Sequence, residues 1–243
     1  MADRMVLTAG AERKSYVKRM FNAIAHRYDF LNHLLSFGLD IRWRKKAISH
    51  LDKNRDYRFV LDLACGTGDF ARETAQKTGA RVIGTDIALQ MLSAGSKKKG
   101  MQSVDFLNGD AERLPFRDHR FDAVTIAFGI RNMGHVDTAL TEMHRILTTG
   151  GQAIVLEFST PEMQPFRTLY LFYFNHILPR IGRIISGDKQ AYAYLPASVD
   201  TFPGIAEFMK KMETAGFRDV EAFPLLFGVA MVYKGCKTED RSI

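Results

Sequence analysis

Cysteine and tryptophan are scarce in this chain of 243 residues, which contains two cysteines, Cys65 and Cys236, and one tryptophan. Two cysteines cannot form the disulfide framework of a small secreted protein, and they fit a reducing compartment. Long hydrophobic runs are also absent. The most apolar stretch, 169–185, is interrupted by a histidine, a proline and two arginines, which a membrane-spanning helix tolerates poorly. Because the first residues include no apolar signal-peptide core, we expect a soluble, cytoplasmic protein.

Neither apolar nor charged residues are present in excess. Hydrophobic residues make up 46% of the chain and charged residues 25%, as in an ordinary globular protein. This balance excludes disordered, collagen-like and coiled-coil chains. The length fits one α/β domain, so we predict a single domain over residues 1–243.

The net charge of +7 is confined to the front of the chain. Residues 1–60 contain 13 lysines and arginines against 6 acidic residues, whereas the remainder is balanced at 21 against 21. Such a basic segment indicates contact with nucleic acid or with anionic lipid at a membrane surface. A solvated helix face is the structural alternative.

The spacing of apolar residues predicts an α/β fold. Apolar residues recur every three or four positions over 14–35, as one helix or two short ones, and a second basic helix follows at 41–50. We assign 1–55 as a basic helical cap and 160–200 as an aromatic-rich insert or lid. Strands are predicted at 59–64, 81–86, 104–107, 121–126, 152–158, 220–224 and 229–233, and helices at 69–77, 89–99, 136–147 and 205–215. The alternation predicts a mostly parallel sheet with helices on both faces and an antiparallel end.

A glycine-rich turn follows the first predicted strand. Residues 66–71 fit the pattern G-x-G-x-x-A, and Asp86 lies 20 residues after Gly66, where a carboxylate can bind ribose hydroxyls. This pattern fits both NAD and S-adenosylmethionine. Asp62 would repel a pyrophosphate but suits a cationic ligand, and Asp110 with Ala111 can meet an adenine, which favours S-adenosylmethionine. As structural alternatives, Asp62 caps a helix or bridges a loop, and Asp110 is an ordinary turn residue.

The residues 62–69, DLACGTGD, resemble motif I of class I S-adenosylmethionine-dependent methyltransferases. Other segments resemble the ubiquinone/menaquinone biosynthesis C-methyltransferase family more narrowly: 28–32, 36–38 with 43–44, 111–116, 128–132, 156–159 and 178–182. The resemblance covers about residues 15–235. It implies a Rossmann-like fold with a seven-stranded, mostly parallel sheet and an antiparallel C-terminal strand.

The resemblance also implies a set of site residues. By similarity, S-adenosylmethionine is bound by Asp62, Gly66, Thr67, Gly68, Asp86, Asp110, Ala111 and Ala127, the last standing where related enzymes often have serine. The catalytic candidates are Tyr28, Asp29, Arg131 and Asn132, with Arg131 stabilising a phenolate. Their structural alternatives are that Tyr28 belongs to an apolar helix stripe and that Asp29 pairs with Arg27 or Arg131. The histidines and cysteines show no metal-ligand spacing, so no metal is expected.

The family implies methylation of a ring carbon on a polyprenylated hydroquinone, and we favour demethylmenaquinol as the acceptor. Alternatives are another lipid or phenol, or RNA through the basic segment. The aromatic and basic insert suits a prenyl tail, and peripheral contact with the inner face of a membrane follows from that substrate. A homodimer interface is the other interpretation of the insert. We expect no nucleic-acid partner.

Overall fold

The computed structural model describes residues 10–177 and 189–239. Its α-helices are α1 (Ala11–Ile24), α2 (Tyr28–Leu35), α3 (Leu39–Ile48), α4 (Asp69–Thr78), α5 (Leu89–Gly95), α6 (Val136–Ile146), α7 (Phe166–Phe172), α8 (Lys189–Asp200) and α9 (Ile205–Thr214). Its strands are β1 (Phe59–Leu63), β2 (Arg81–Asp86), β3 (Val104–Asn108), β4 (Phe121–Ala127), β5 (Leu147–Phe158), β6 (Arg218–Leu225) and β7 (Ala230–Cys236). Short 3₁₀ turns follow β4 and β6, and a π-helical turn, Tyr173–Ile177, follows α7. No helix among these residues is long and apolar enough to cross a membrane.

The seven strands form one sheet in the order β3-β2-β1-β4-β5-β7-β6. The strands β1 to β5 are parallel, and β7 runs antiparallel between β5 and β6. The predicted fold class is therefore confirmed, including the antiparallel end. The order reverses at β1, where the chain runs outward to β3 and then returns to β4 on the other side. This reversal opens a crevice at the carboxyl ends of β1 and β4.

Both faces of the sheet are covered because neighbouring residues of each strand enter different cores. In β1, Val60 packs in the core formed with α1, α2, α3 and α4, whereas Leu61 packs in the core formed with α6 and α9. This alternation is the period of two that a strand imposes on its side chains.

The stretch 14–35 forms two helices, the second of the two expected arrangements, and they separate between Ile24 and Tyr28. Two element boundaries differ clearly from the sequence predictions. The helix predicted to reach residue 99 ends at Gly95, where the backbone of Thr67 lies so close that an added Cβ would be 2.7 Å from its carbonyl oxygen. The strand predicted from 152 begins at Leu147. The predicted turn at 150–151 lies within this strand, and the Gly150 amide donates a hydrogen bond to the Lys237 carbonyl oxygen just after β7. Part of the predicted insert, 178–188, lies outside the described residues.

Candidate active site

A narrow cleft of about 60 Å³ lies at the carboxyl ends of β1, β2 and β4. Of the residues predicted to bind the cofactor, this cleft is lined by Gly66, Asp86, Asp110, Ala111 and Ala127. The glycine turn reaches it because Gly66 and Gly68 have left-handed backbone angles, with φ of 56° and 82°. Gly68 has a further reason to lack a side chain, since an added Cβ would be 2.8 Å from the Phe106 ring.

Asp86 is held at the floor of the cleft by the backbone. Its carboxylate accepts hydrogen bonds from the amides of Gly66, at 2.9 Å, and Ala88, at 2.7 Å. Burial raises the pKa of Asp86, although these hydrogen bonds oppose the shift. The structure thus places the predicted ribose ligand at the turn.

Asp62 lies beneath the same turn and is fully buried. Its Oδ1 accepts a hydrogen bond from Thr125 Oγ1 at 2.8 Å, while Oδ2 has no hydrogen-bond partner among the described residues. Burial raises the pKa of Asp62 to about 7. It lines a second, small cavity together with Thr67 and Ala127. A buried carboxylate with an unsatisfied oxygen is suited to receive a cationic group.

The end of the cleft that contains Asp110 is covered by α1. Lys14 Nζ forms ion pairs with Asp110, at 2.6 Å, and with Glu112, at 3.0 Å. Val17 lines the cleft from the next turn of the helix. The predicted adenine ligand, Asp110, is therefore engaged by a lysine of the cap.

The catalytic candidate Asp29 is tied to the glycine turn. Its carboxylate accepts a hydrogen bond from Thr67 Oγ1 at 2.5 Å and pairs with Lys98 Nζ at 2.7 Å. Lys98 also donates to Thr67 Oγ1 at 2.9 Å and pairs with Asp69 at 2.7 Å. The partner of Asp29 is thus Lys98 rather than Arg27 or Arg131. Asp29 and Gly68 line neither the narrow cleft nor the small cavity beside Asp62.

Arg131 is buried next to a buried acid. Its Nη1 donates to Glu157 Oε1 at 2.6 Å and to the carbonyl oxygen of Phe128, and its Nε donates to Ser198 at 3.2 Å. Glu157 Oε2 accepts the backbone amide of Arg131 at 3.2 Å. This pairing holds the guanidinium in one orientation, with Nη2 taking part in none of these bonds.

Asn132 lies on the cleft side of the same turn. Its Nδ2 donates to the Phe128 carbonyl oxygen at 3.3 Å, and its buried Oδ1 has no partner among residues 10–177 and 189–239. Asn132 lines the narrow cleft, whereas Arg131 lines a larger cavity. The two neighbours therefore face different compartments.

The larger cavity has a volume of about 490 Å³ and a predominantly apolar wall. It lies between the cap helices α1 to α3 and the insert, and it contains Trp43, Tyr170 and Arg131 in its lining. Phe21, Tyr28 and Phe128 line both this cavity and the cleft, so they form the partition between them. Burial raises the pKa of Tyr28, which keeps its hydroxyl neutral.

Three residues of the site were missed from the sequence: Lys14, Lys98 and Glu157. Glu157 lies 26 residues from Arg131, Lys98 lies 31 from Thr67 and Lys14 lies 96 from Asp110. Of these three residues, only Glu157 stands out in the sequence, because it is an acidic residue directly after the apolar run 153–156. Within the described residues, no group of three or more potential ligands could hold a metal ion.

Comparisons with known proteins identify relatives of this chain. The profile of the ubiE/COQ5 methyltransferase family matches residues 8–237. The demethylmenaquinone methyltransferase of Thermus thermophilus is 46% identical over 220 residues, which cover 89% of this chain and 99% of that protein. The ubiquinone/menaquinone biosynthesis C-methyltransferase UbiE of Geotalea uraniireducens is 44% identical over 232 residues, which cover 93% and 98%.

A solved structure with a similar fold is that of a SAM-dependent methyltransferase from Thermotoga maritima. It superimposes with a TM-score of 0.61 at 21% identity, covering 90% of this chain and 99% of that one. At this identity the match supports the fold alone.

Proposed function

This chain belongs to the ubiE/COQ5 methyltransferase family, and on that premise we propose that it methylates a ring carbon of demethylmenaquinol. It is an S-adenosylmethionine-dependent C-methyltransferase of quinone biosynthesis. Family membership decides between the two nucleotide cofactors that the glycine turn allows, in favour of S-adenosylmethionine.

The observation that supports a prenylated hydroquinone as the acceptor is the junction of two unlike compartments. A narrow, polar-floored cleft adjoins an apolar cavity of about 490 Å³, and among the described residues Phe21, Tyr28 and Phe128 line both. The cavity suits a hydrophobic ring with a prenyl tail. The partition is where a ring carbon would meet the methyl donor.

The cleft residues fit S-adenosylmethionine. The unsatisfied Oδ2 of Asp62 suits its amino group, and Asp86 suits its ribose hydroxyls. When bound, this cofactor supplies an electrophilic methyl group on a sulfonium. The contribution of the protein is to align the two reactants and to exclude water.

Activation of the acceptor falls to residues at the partition and in the wall of the larger cavity. A hydroquinone carbon becomes nucleophilic when the neighbouring hydroxyl gives its proton to an ordered water, and after methyl transfer the same ring carbon releases its hydrogen as a proton, which restores the aromatic ring. The Arg131 guanidinium stabilises the phenolate formed in the first step. The neutral Tyr28 hydroxyl can donate a hydrogen bond to an oxygen of the quinol. Asp29 has a positioning role, because it accepts a hydrogen bond from Thr67 Oγ1 and pairs with Lys98.

Peripheral contact with a membrane belongs to the same proposal. An acceptor with a polyprenyl tail resides in lipid, and all of the net charge lies in residues 1–60. Electrostatic attraction to anionic lipid would bring the enzyme to its substrate.

A direct assay tests the acceptor. Purified protein is incubated with S-adenosylmethionine and either demethylmenaquinol or an unmethylated prenyl benzoquinol, and the products are identified by mass spectrometry. We expect methylation of the naphthoquinol. Turnover of the benzoquinol alone would contradict the proposed acceptor, and turnover of neither would contradict the proposed function.

A further inference from the structure

Exposed apolar side chains surround the opening of the large cavity. Phe37 is 79% exposed, Leu169 is 65% exposed and Phe172 is 55% exposed, and all three also line the cavity. A residue that is both exposed and part of the lining borders the opening. Phe37 contacts Tyr173 with ring centroids 6.2 Å apart, which brings the chain after α2 next to the insert.

The apolar surface extends beyond the opening itself. Phe30 (61% exposed) and Leu34 (42%) lie one turn apart on α2, whose chain leads directly to Phe37. Phe227, also 61% exposed, packs against Phe166 of α7 with ring centroids 5.0 Å apart. We name these six residues the apolar rim: Phe30, Leu34, Phe37, Leu169, Phe172 and Phe227.

The backbone presents part of this rim at a conformational cost. Leu226 and Phe227 have φ angles of 43° and 56°, in the left-handed region that bulky residues rarely adopt. Backbone strain of this kind clusters at functional sites. Phe227 is mostly exposed, so burial within this chain does not account for it.

The cap that carries Phe30, Leu34 and Phe37 is basic. Residues 10–55, which form the cap, contain 11 lysines and arginines and 4 acidic residues. Six of the basic side chains on α1 to α3 or between them are exposed: Lys18, Arg19, Arg27, Arg42, Lys45 and Lys46. This charge favours an anionic partner and opposes a second copy of the same surface.

We propose that the apolar rim inserts into the headgroup region of an anionic lipid bilayer, so that the cavity opens directly onto the membrane. Apolar side chains that enter a membrane beside basic ones are the combination that holds interfacial proteins at lipid. The inference rests on the proposed function in one respect, the prenyl tail, because only such an acceptor needs a route from the bilayer into the cavity.

Two variants test the rim without altering the cavity lining. Phe227→Asn places a residue that tolerates positive φ at a strained position, and Leu34→Ser removes an exposed side chain from α2. The matched control is Leu107→Ser, which removes an exposed leucine from β3. β3 is at the opposite edge of the sheet from the Leu226–Gly228 turn, roughly 30 Å away for six strand spacings.

Co-sedimentation with vesicles of phosphatidylglycerol and phosphatidylcholine, free of quinol, measures docking. We expect each rim variant to bind these vesicles about tenfold more weakly than the wild type, and the control to bind like the wild type. Phe227→Asn should unfold at the same temperature as the wild type or higher. Binding by both rim variants that equals wild-type binding would overturn the proposal. So would rim-dependent dimerisation in light scattering with unchanged vesicle binding, since the rim would then contact a second copy.

Turnover separates this inference from the proposed function. With long-chain quinol embedded in the vesicles, the rim variants should lose about the same factor in rate as in binding. With a short-chain, water-soluble quinol they should match the wild type. A wild type inactive on both acceptors would contradict the proposed function, whereas equal activity of wild type and rim variants on embedded quinol would contradict the docking surface alone.

Discussion

Asp62 and Asp86 are carboxylates at the ends of neighbouring strands, and they differ in how their oxygens are satisfied. Both oxygens of Asp86 accept backbone amides, whereas Asp62 has one bond, to Thr125, and one oxygen without a partner in the described chain. Burial raises the pKa of Asp62 to about 7, and the hydrogen bond from Thr125 opposes this rise only in part. Near neutral pH, the ligand-free protein therefore contains both protonation states of Asp62.

Cofactor affinity should depend on pH through Asp62. If its ionised form receives the cationic amino group, S-adenosylmethionine affinity should rise about tenfold per pH unit below pH 7 and level off above it. Calorimetric titrations between pH 5.5 and 8.5 measure this. Asp62→Asn should bind weakly with no such dependence, and a flat wild-type profile would rule out this role.

The same pKa has an opposite effect on the stability of the ligand-free protein. Because the folded-state pKa, about 7, lies above the unfolded value of about 3.9, the contribution of Asp62 is fully present below pH 4 and is lost as pH rises to 7. Relative to Asp62→Asn, the wild type should lose on the order of 4 kcal/mol over this range. Urea unfolding at several pH values would show it, and a constant difference would contradict it.

Substitutions at Arg131 and Glu157 should separate the structural role of this ion pair from the catalytic role of Arg131. Arg131→Ala leaves Glu157 as an unpaired buried acid and should destabilise the fold by about 3–5 kcal/mol. The double variant Arg131→Met, Glu157→Met removes both charges and should recover stability. It should still lose a factor on the order of 10²–10³ in single-turnover methyl transfer, because the phenolate stabiliser is gone. A stable double variant with normal turnover would remove Arg131 from the mechanism.

At the scale of the elements, local sequence patterns were sufficient to predict the sheet and the helices that cover it. The glycine turn, the apolar strands and the short link between β6 and β7 each depend on residues close in sequence, and the topology followed from them. The cap was less predictable. Lys14 meets Asp110 across 96 residues, and no local signal marks that contact. Asp29 was predicted to be catalytic from the family resemblance of residues 28–32, and its environment is set by Lys98, which belongs to the chain after α5.

The α1 helix should control entry to the cleft. Its Lys14 is bound to the carboxylate predicted to receive the adenine, so the cofactor must displace it. Lys14→Met should speed S-adenosylmethionine association up to about fivefold and increase hydrogen exchange in α1, as expected for a partly exposed ion pair. Lys18→Met, on the exposed face of the same helix, is the control. Identical stopped-flow rates for both variants and the wild type would contradict this role of Lys14.

At the scale of the whole molecule, charge and apolar surface are both concentrated on the cap side. The +7 net charge should make binding to anionic vesicles weaken as salt rises, because the Debye length falls from about 30 Å at 0.01 M to about 10 Å at 0.1 M. Sedimentation across this range measures the effect. Equal binding to neutral and anionic vesicles at low salt would show that charge contributes nothing.

The single Trp43 gives the cavity its own optical signal. Its indole is buried against Phe128 and Phe158, with ring centroids 6.2 Å away in each case, and it forms part of the cavity wall. No other tryptophan contributes to the emission, so a change in fluorescence reports on this wall alone. A quinone is an electron acceptor, and its arrival beside an excited indole would quench the emission. The native protein can therefore be titrated with acceptor in the absence of any methyl donor, without attaching a label.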